Sequence, residues 1–146
     1  MDFNTMLGYA GCACAVGISA IGSSIGCGIA GAASHGVMAK VEEGHGKFIG
    51  MSAAPSSQTI YGIVLMFVLL GKLKAEAGLA ILGIGLFCGI GIMVSAIIQG
   101  KVAATGILAS SKKPEIFGKC FAAVGIVESF ALFSMVFGLI IATAIG

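Results

Sequence analysis

Apolar residues fill four long stretches of this chain, and only short polar stretches separate them. The apolar stretches cover residues 7–34, 48–70, 79–104 and 117–145. A helix that crosses a bilayer needs about 20 mostly apolar residues, and each stretch reaches that length. The polar residues between the stretches are too few for a soluble domain. The pattern therefore predicts an all-α membrane protein with four transmembrane helices.

The composition supports this prediction. Of the 146 residues, 58% are hydrophobic and 10% are charged, and the mean hydropathy is +1.12. A soluble domain of this length needs far more polar surface. No Lys or Arg precedes the first apolar stretch, so we expect it to be the first helix and not a cleaved signal peptide. The five cysteines show no zinc-site spacing, and we expect them to pack as small apolar residues.

The lysines predict the orientation of the chain. Six of them lie in or beside the first and third connections between helices: Lys40, Lys47, Lys101, Lys112, Lys113 and Lys119. The second connection holds only Lys72 and Lys74, and the termini hold none. Because cytoplasmic connections carry an excess of Lys and Arg, we expect the first and third connections in the cytoplasm and both termini outside. The chain then forms two tandem helical hairpins, residues 1–74 and 75–146.

Small residues are concentrated in the first and third helices, and bulky apolar residues in the second and fourth. Small residues at spacings of three and four let helix backbones approach closely in lipid. They are Ala15, Ser19, Gly22, Ser23, Gly26, Ala30 and Ala33 in the first helix, and Gly78, Gly85, Gly89 and Ala96 in the third. Two arrangements fit equally well. One is a ring of several copies with the slender helices inside, and the other is an ordinary four-helix bundle with one crowded contact.

A single acid lies deep in the fourth apolar stretch. Glu128 is the only charged residue between residues 121 and 145. A carboxylate at that depth costs at least about 2.5 kcal/mol unless it is paired, binds an ion or is protonated. An acid in such a place is a candidate functional residue.

The second helix offers a row of polar groups. Ala54, Ser57, Gln58 and Tyr61 follow one another at the spacing of one helix face, so a hydroxyl, an amide and a phenol lie in line. Pro55 has no N–H and disrupts the preceding turn, which frees nearby carbonyls such as that of Ala54 to face a ligand.

The third helix adds Gln99, so that three helices present oxygen atoms together with the Glu128 carboxylate. Ligation by oxygen with one negative charge suits a hard monovalent cation, since Ca²⁺ usually recruits more carboxylates. A proton needs only Glu128 and a hydrogen-bond partner, so the further oxygens favour Na⁺. The opposing interpretation is that Ser57, Gln58 and Gln99 only hold helices together.

Four segments of the chain resemble one family. They are PSSQTIYG at residues 55–62, QGKVAATG at 99–106, KKPE at 112–115 and VESFA at 127–131. Together they are similar to the proteolipid subunit K of V-type (V/A-type) rotary ATPases, a c-type subunit of the rotor ring, and above all to its sodium-translocating bacterial form. The resemblance spans essentially the whole chain, and the second hairpin is the more specific half.

The resemblance implies a ligand set for the ion. It consists of the Ala54 carbonyl beside Pro55, then Ser57, Gln58, Gln99 and Glu128, with Tyr61 as a hydrogen-bond donor to the acid. Two residues depart from the family pattern. Ser57 stands where the family has Thr, which keeps the hydroxyl, and Ser56 stands where Gly is usual.

The resemblance also implies partners and a place in the cell. Several copies form a ring in the bacterial plasma membrane, and Glu128 loads Na⁺, or H⁺, beside a stator subunit that offers an essential Arg. Central-stalk subunits complete the complex, which hydrolyses or makes ATP. This chain has no phosphate-binding loop of its own and is not expected to be an enzyme. The lysines are accounted for by topology, so no nucleic acid is expected as a partner.

Three alternatives stay open at this point. The first is a rotor subunit that carries H⁺ on the same Glu128. The second is a small four-helix multidrug exporter, since such transporters also use one membrane-embedded Glu, although this chain has no Trp to stack against a cationic drug. The third is a passive structural membrane protein, which Glu128 argues against.

Overall fold

The structure, a computed structural model, describes residues 1–145, so residue 146 of the predicted second hairpin lies outside it. The described part contains helices and turns and no strand. The α-helices are α1 (Phe3–Met38), α2 (His45–Ser52), α3 (Ser57–Gly71), α4 (Gly78–Lys112) and α5 (Phe117–Thr143). Short 3₁₀ turns lie at Ala54–Ser56, Ala75–Ala77 and Pro114–Ile116. The prediction of an all-α protein is confirmed.

Four helical segments are long and apolar enough to cross a membrane, by length and composition. They are Phe3–Met38, His45–Gly71, Ala75–Lys112 and Pro114–Thr143. The second segment combines α2, a 3₁₀ turn and α3, because Pro55 interrupts the helix. The four predicted apolar helices are therefore present, and the second one is broken where the sequence places a proline.

Two helices run further than the apolar pattern predicts. The first begins at Phe3 because Asp2 caps it, accepting the Thr5 N–H at 3.0 Å and the Thr5 hydroxyl at 2.6 Å. These two hydrogen bonds hold the pKa of Asp2 below its ordinary value. The third spanning helix, α4, continues to Lys112. It ends there because Pro114 disfavours helical geometry at Lys113, the residue before it. Both extensions mix polar and apolar residues, so the length of the apolar stretch alone does not detect them.

The backbones of α1 and α4 touch along most of their length. A Cβ atom added at Gly22 would lie 2.5 Å from the Cα of Met93, and one added at Gly85 would collide with the backbone of Gly11. Only glycine permits this approach. The two slender helices therefore pack against each other within one chain, which confirms the crowded contact that both predicted arrangements contain.

The fourth span, α5, is the least covered. In the apolar part of the span that contains α5, 17% of the residues are buried. The corresponding fraction for the span that contains α4 is 39%. Large apolar side chains on α5 remain exposed, among them Phe130, Phe133 and Phe137. This surface suits lipid or a neighbouring protein.

Polar residues occupy the middle of the bundle, between two apolar clusters. One cluster includes Leu65, Leu69 and Ile81, and the other includes Met51 and Ile107. The buried polar residues of the middle layer are Ser19, Ser23, Gln58, Ser95 and Gln99. All five cysteines are free thiols, as their placement in apolar stretches predicts.

Candidate ion-binding site

The carboxylate of Glu128 lies at the edge between α3 and α5. The side chain is partly buried, and two hydroxyl groups from α3 donate hydrogen bonds to its Oε1 atom. The Ser57 hydroxyl lies at 2.5 Å, and the Tyr61 hydroxyl, one turn further along α3, lies at 2.7 Å. The acid of the fourth span is thus joined directly to the polar row of the second.

The break before α3 brings a backbone carbonyl into the same place. Pro55 is fully buried within the 3₁₀ turn Ala54–Ser56. The carbonyl oxygen of Ala54 accepts the N–H of Ser57 and lies 3.0 Å from the Ser57 hydroxyl. The 3₁₀ turn at the proline therefore places this carbonyl beside Ser57, and its orientation toward a ligand stays a prediction.

Two buried glutamine side chains complete the cluster. The Gln58 Nε2 group donates to Oε1 of Gln99 at 2.6 Å, and the Gln99 Nε2 group donates to the carbonyl of Val124 at 3.0 Å. Both amides are fully buried. Because Val124 accepts the Gln99 amide hydrogen, the Gln99 oxygen faces the site and not α5.

The α4 helix holds α5 at a second point that the sequence analysis does not identify. The Ser95 hydroxyl donates to the carbonyl of Val127 at 2.8 Å, directly before Glu128. Ser95 lies four residues before Gln99, so both side chains leave the same face of α4. A hydroxyl at that spacing from a membrane-embedded Gln is the signal that could have pointed to it.

More oxygen acceptors converge on Ser57 than its hydroxyl can satisfy. The Ser57 Oγ atom lies 3.0 Å from the Ala54 carbonyl oxygen, 3.2 Å from Oε1 of Gln58 and 2.5 Å from Oε1 of Glu128. A serine hydroxyl has one hydrogen to donate. A cation bound among these oxygens would balance the surplus of lone pairs. The donor set is oxygen with one formal charge, and no group of three or more His, Cys, Asp and Glu capable of holding a metal occurs among the described residues.

All seven residues predicted for the site are therefore found together. Ser57, Gln58, Gln99 and Glu128 are linked by hydrogen bonds, the Ala54 carbonyl and Pro55 form the adjoining break, and Tyr61 donates to the acid.

The model of one family, the C subunit of ATP synthase, matches the chain twice, over residues 10–69 and 82–141. The chain belongs to the ATP synthase C-subunit family. Residues of the polar cluster lie in both matched segments, with Ser57 and Gln58 in the first and Gln99 and Glu128 in the second.

Two curated relatives support the same membership. The A-type ATP synthase subunit K of Methanocaldococcus jannaschii is 33% identical over 136 residues, which is 93% of this chain and 61% of the relative. The V-type sodium ATPase subunit K of Enterococcus hirae is 34% identical over 122 residues, which is 81% of this chain and 78% of the relative. The chain thus spans less than two thirds of the length of the first relative. Family membership and the four apolar helices make it an integral multi-pass membrane protein.

Proposed function

We propose that this chain is the rotor-ring subunit of a V-type rotary ATPase or ATP synthase, and that it carries Na⁺ across the membrane. The observation that carries the proposal is that the Ala54 carbonyl, the Gln58 amide oxygen and the Glu128 carboxylate converge on the Ser57 hydroxyl. Glu128 is the single acid inside the four apolar stretches. Family membership and the names of both relatives support it. The chain itself performs no catalysis, and other subunits of the complex hydrolyse or make ATP.

The proposed ligands of Na⁺ are oxygen atoms from three spans. They are the carbonyl of Ala54, the hydroxyl of Ser57, the amide oxygens of Gln58 and Gln99, and the carboxylate of Glu128. A Na⁺ ion that leaves water must replace several hydration oxygens at once, and its single charge matches the single carboxylate. Tyr61 keeps a hydrogen bond to Oε1 of Glu128, and Pro55 keeps the carbonyl of Ala54 turned toward the site.

The position of Glu128 suits loading and release at a protein interface. The carboxylate is partly exposed at the edge between α3 and α5. Facing lipid, the acid must be neutralised by Na⁺ or H⁺. Beside an Arg of the stator, the positive charge favours release of the cation. Rotation of the ring between these two situations moves one ion for each copy.

The placement in the membrane forms part of the proposal. The two hairpins, residues 1–74 and 75–146, lie with the first and third connections in the bacterial cytoplasm and with both termini outside, as the lysines indicate. The backbone contact of α1 and α4 belongs to the inner layer of the ring, and the exposed surface of α5 faces lipid and the stator. The central-stalk subunits bind the ring.

One observation favours a second candidate, a rotor that carries H⁺ on the same acid. Oε1 of Glu128 already accepts hydrogen bonds from Ser57 and Tyr61, so the carboxyl group is satisfied without a metal ion. The remaining oxygens of Ala54, Gln58 and Gln99 would then have no ion to bind, which favours Na⁺. A small multidrug exporter is disfavoured by the family match, which covers both hairpins.

Labelling of Glu128 by a hydrophobic carbodiimide tests the proposal. The reagent attacks a protonated carboxyl group, and Na⁺ binding requires the deprotonated one, so Na⁺ should protect Glu128 from the reagent. Protection should strengthen as the pH rises, because fewer protons compete for the carboxylate. Mass mapping of the labelled chain checks both points. Labelling that varies with pH but ignores Na⁺ at every concentration would establish the H⁺ rotor instead.

A further inference from the structure

Three residues of α1 contact the helix break that adjoins the candidate site, although α1 contributes no ligand. The hydroxyl oxygen of Ser23 accepts the backbone N–H of Thr59 at 3.1 Å. One turn later, a Cβ atom added at Gly26 would lie 2.9 Å from Cβ of Pro55. The Sγ atom of Cys27 lies 4.0 Å from the carbonyl oxygen of Ala53. These residues stand at i, i+3 and i+4, so one face of α1 contacts the break on both sides of the proline.

The hydrogen bond from Thr59 is the most specific of these contacts. Thr59 belongs to the first turn of α3, whose N–H groups have no carbonyl partner within that helix. Ser23 is 5% exposed, so its oxygen meets this N–H inside the bundle. The bond fixes the position of this turn along α1 and its rotation about the α3 axis, and the same turn carries Ser57 and Gln58.

We propose that Ser23 is a positioning residue for the ion site and that it acts through the backbone of Thr59. It keeps the first turn of α3 where the oxygens of Ser57 and Gln58 meet the Glu128 carboxylate. The inference rests on the proposed function, because it concerns the binding of Na⁺ by that same site.

This role distinguishes Na⁺ from H⁺. A Na⁺ ion needs several oxygens in place at once, so a small displacement of α3 weakens its binding. A proton needs only the carboxyl group of Glu128, which belongs to α5 and is held there by α4 through Ser95 and Gln99. Loss of the Ser23 hydroxyl should therefore weaken Na⁺ binding, which uses the oxygens of Ser57 and Gln58 as ligands, more than it affects protonation of Glu128, for which Ser57 is only a hydrogen-bond donor.

The test compares Ser23→Ala with Ser24→Ala in membranes that contain the assembled complex. Ser24 is exposed, and its hydroxyl donates to the carbonyl of Ile21 in its own helix at 2.9 Å, so the same change one residue away spares the break. Carbodiimide labelling of Glu128 is measured by mass spectrometry against Na⁺ concentration, and separately against pH without Na⁺.

We expect Ser23→Ala to raise the Na⁺ concentration for half-protection roughly three-fold, as the loss of one hydrogen bond between membrane helices predicts. Ser24→Ala should leave that concentration unchanged. Without Na⁺, the pH profile of Ser24→Ala should coincide with that of the wild type, and the profile of Ser23→Ala should change by a smaller factor than its Na⁺ requirement. Ser23→Cys, similar in size but with a weaker acceptor, should also raise the concentration, and it covers the case in which Ser23→Ala does not assemble.

Two results would overturn the positioning role alone. One is equal Na⁺ protection in the Ser23 and Ser24 variants. The other is a Ser23 variant in which the proton concentration for half-labelling without Na⁺ changes by as large a factor as the Na⁺ requirement, since that indicates general damage to the bundle. If Na⁺ fails to protect even the wild-type chain, the proposed sodium function and the role of Ser23 both fall.

Discussion

The contact between α1 and α4 and the contact between α3 and α5 are built on opposite principles. The first brings glycine backbones together, as at Gly11 and Gly85, with no room for side chains between them. The second joins bulky helices through a few polar side chains, with Ser57 and Tyr61 of α3 donating to Glu128 of α5. Close backbone packing leaves one fixed arrangement, whereas hydrogen bonds between side chains can be exchanged for bonds to an ion.

This difference explains where the candidate site lies. The proposed ion must enter and leave the site, so the proposal requires the acid to stand at an edge that a partner can reach, and Glu128 is partly exposed at such an edge. The ligands must nevertheless be held at fixed positions. The α4 helix provides this on α5 through Ser95 and Gln99, while it is itself packed rigidly against α1. The rigid contact between α1 and α4 thus supports the contact between α3 and α5, whose hydrogen bonds can be exchanged for bonds to an ion.

The largest expected effect comes from removing the charge at the exchangeable contact. Glu128→Gln should abolish ion transport coupled to ATP and leave ring assembly intact, because the amide keeps the size of the side chain but cannot balance a cation. Na⁺ uptake by membrane vesicles is the measurement. Glu115→Gln is the matched control, since the Glu115 side chain is 67% exposed in the third connection. Transport that survives in the Glu128 variant would remove this acid from the mechanism.

A bulky residue at the rigid contact should have the next largest effect. Gly26→Leu places a side chain against the carbonyl of Ala96 and against Pro55, and we expect it to prevent assembly, at a cost on the order of 3 kcal/mol or more. The yield of ring-sized particles in mild detergent checks this.

Two controls accompany this variant. Gly118→Leu makes the same change at an exposed position of α5 with open space around it, and Phe137→Leu alters a side chain that is 62% exposed. Both should assemble. If all three variants assemble equally well, the backbone contact of α1 and α4 is not what the ring depends on.

The sequence predicts the principal residues of both contacts. Glu128, Gln99 and the polar row after Pro55 are each unusual within an apolar span, so their chemistry alone brought them into one predicted site. Small residues predicted close packing of α1 and α4 for a similar reason, since glycine at regular spacing has few other uses in lipid.

The sequence could not predict the hydrogen bonds by which neighbouring helices fix the backbone of the site. Ser95 binds the carbonyl of Val127, and Ser23 binds the N–H of Thr59. A serine in a membrane helix usually bonds to its own backbone, as Ser19 does to Ala15. The relative axial position of two helices decides whether the hydroxyl can bond to the neighbouring helix. Hydrophobic periodicity does not contain that information.

Removing one neutral ligand should weaken the exchangeable contact without destroying it. Gln99→Ala deletes an amide oxygen that faces the site, and it also deletes the Nε2 group that donates a hydrogen bond to the carbonyl of Val124. We expect the Na⁺ concentration for half-protection against carbodiimide to rise roughly ten-fold or more, as is typical when a ligand and its support are lost together. Labelling of Glu128 without Na⁺ should persist.

The control for this variant lies on the same helix. Thr105→Ala removes a hydroxyl that bonds to the carbonyl of Val102, within α4 itself at 2.9 Å. It should bind Na⁺ as the wild type does. Wild-type protection in Gln99→Ala would show that the second glutamine is structural, and would leave three side chains and one carbonyl in the ligand set.

The smallest effect is expected from Tyr61→Phe, which removes one hydroxyl and leaves the ring of the side chain in place. Tyr61 donates to Oε1 of Glu128 at 2.7 Å, and it can do so whether Na⁺ or H⁺ occupies the acid. Its loss should therefore change the competition between the two ions little. We expect the Na⁺ concentration for half-protection to change by about three-fold at most, because hydrogen bonds between membrane helices contribute about 0.6 kcal/mol on average. Ser57→Ala, measured beside it, should have a larger effect, since Ser57 is a proposed ligand and Tyr61 only a donor to the acid. A larger effect for Tyr61→Phe than for Ser57→Ala would mean that the phenol, and not the serine hydroxyl, decides how Glu128 holds its ion.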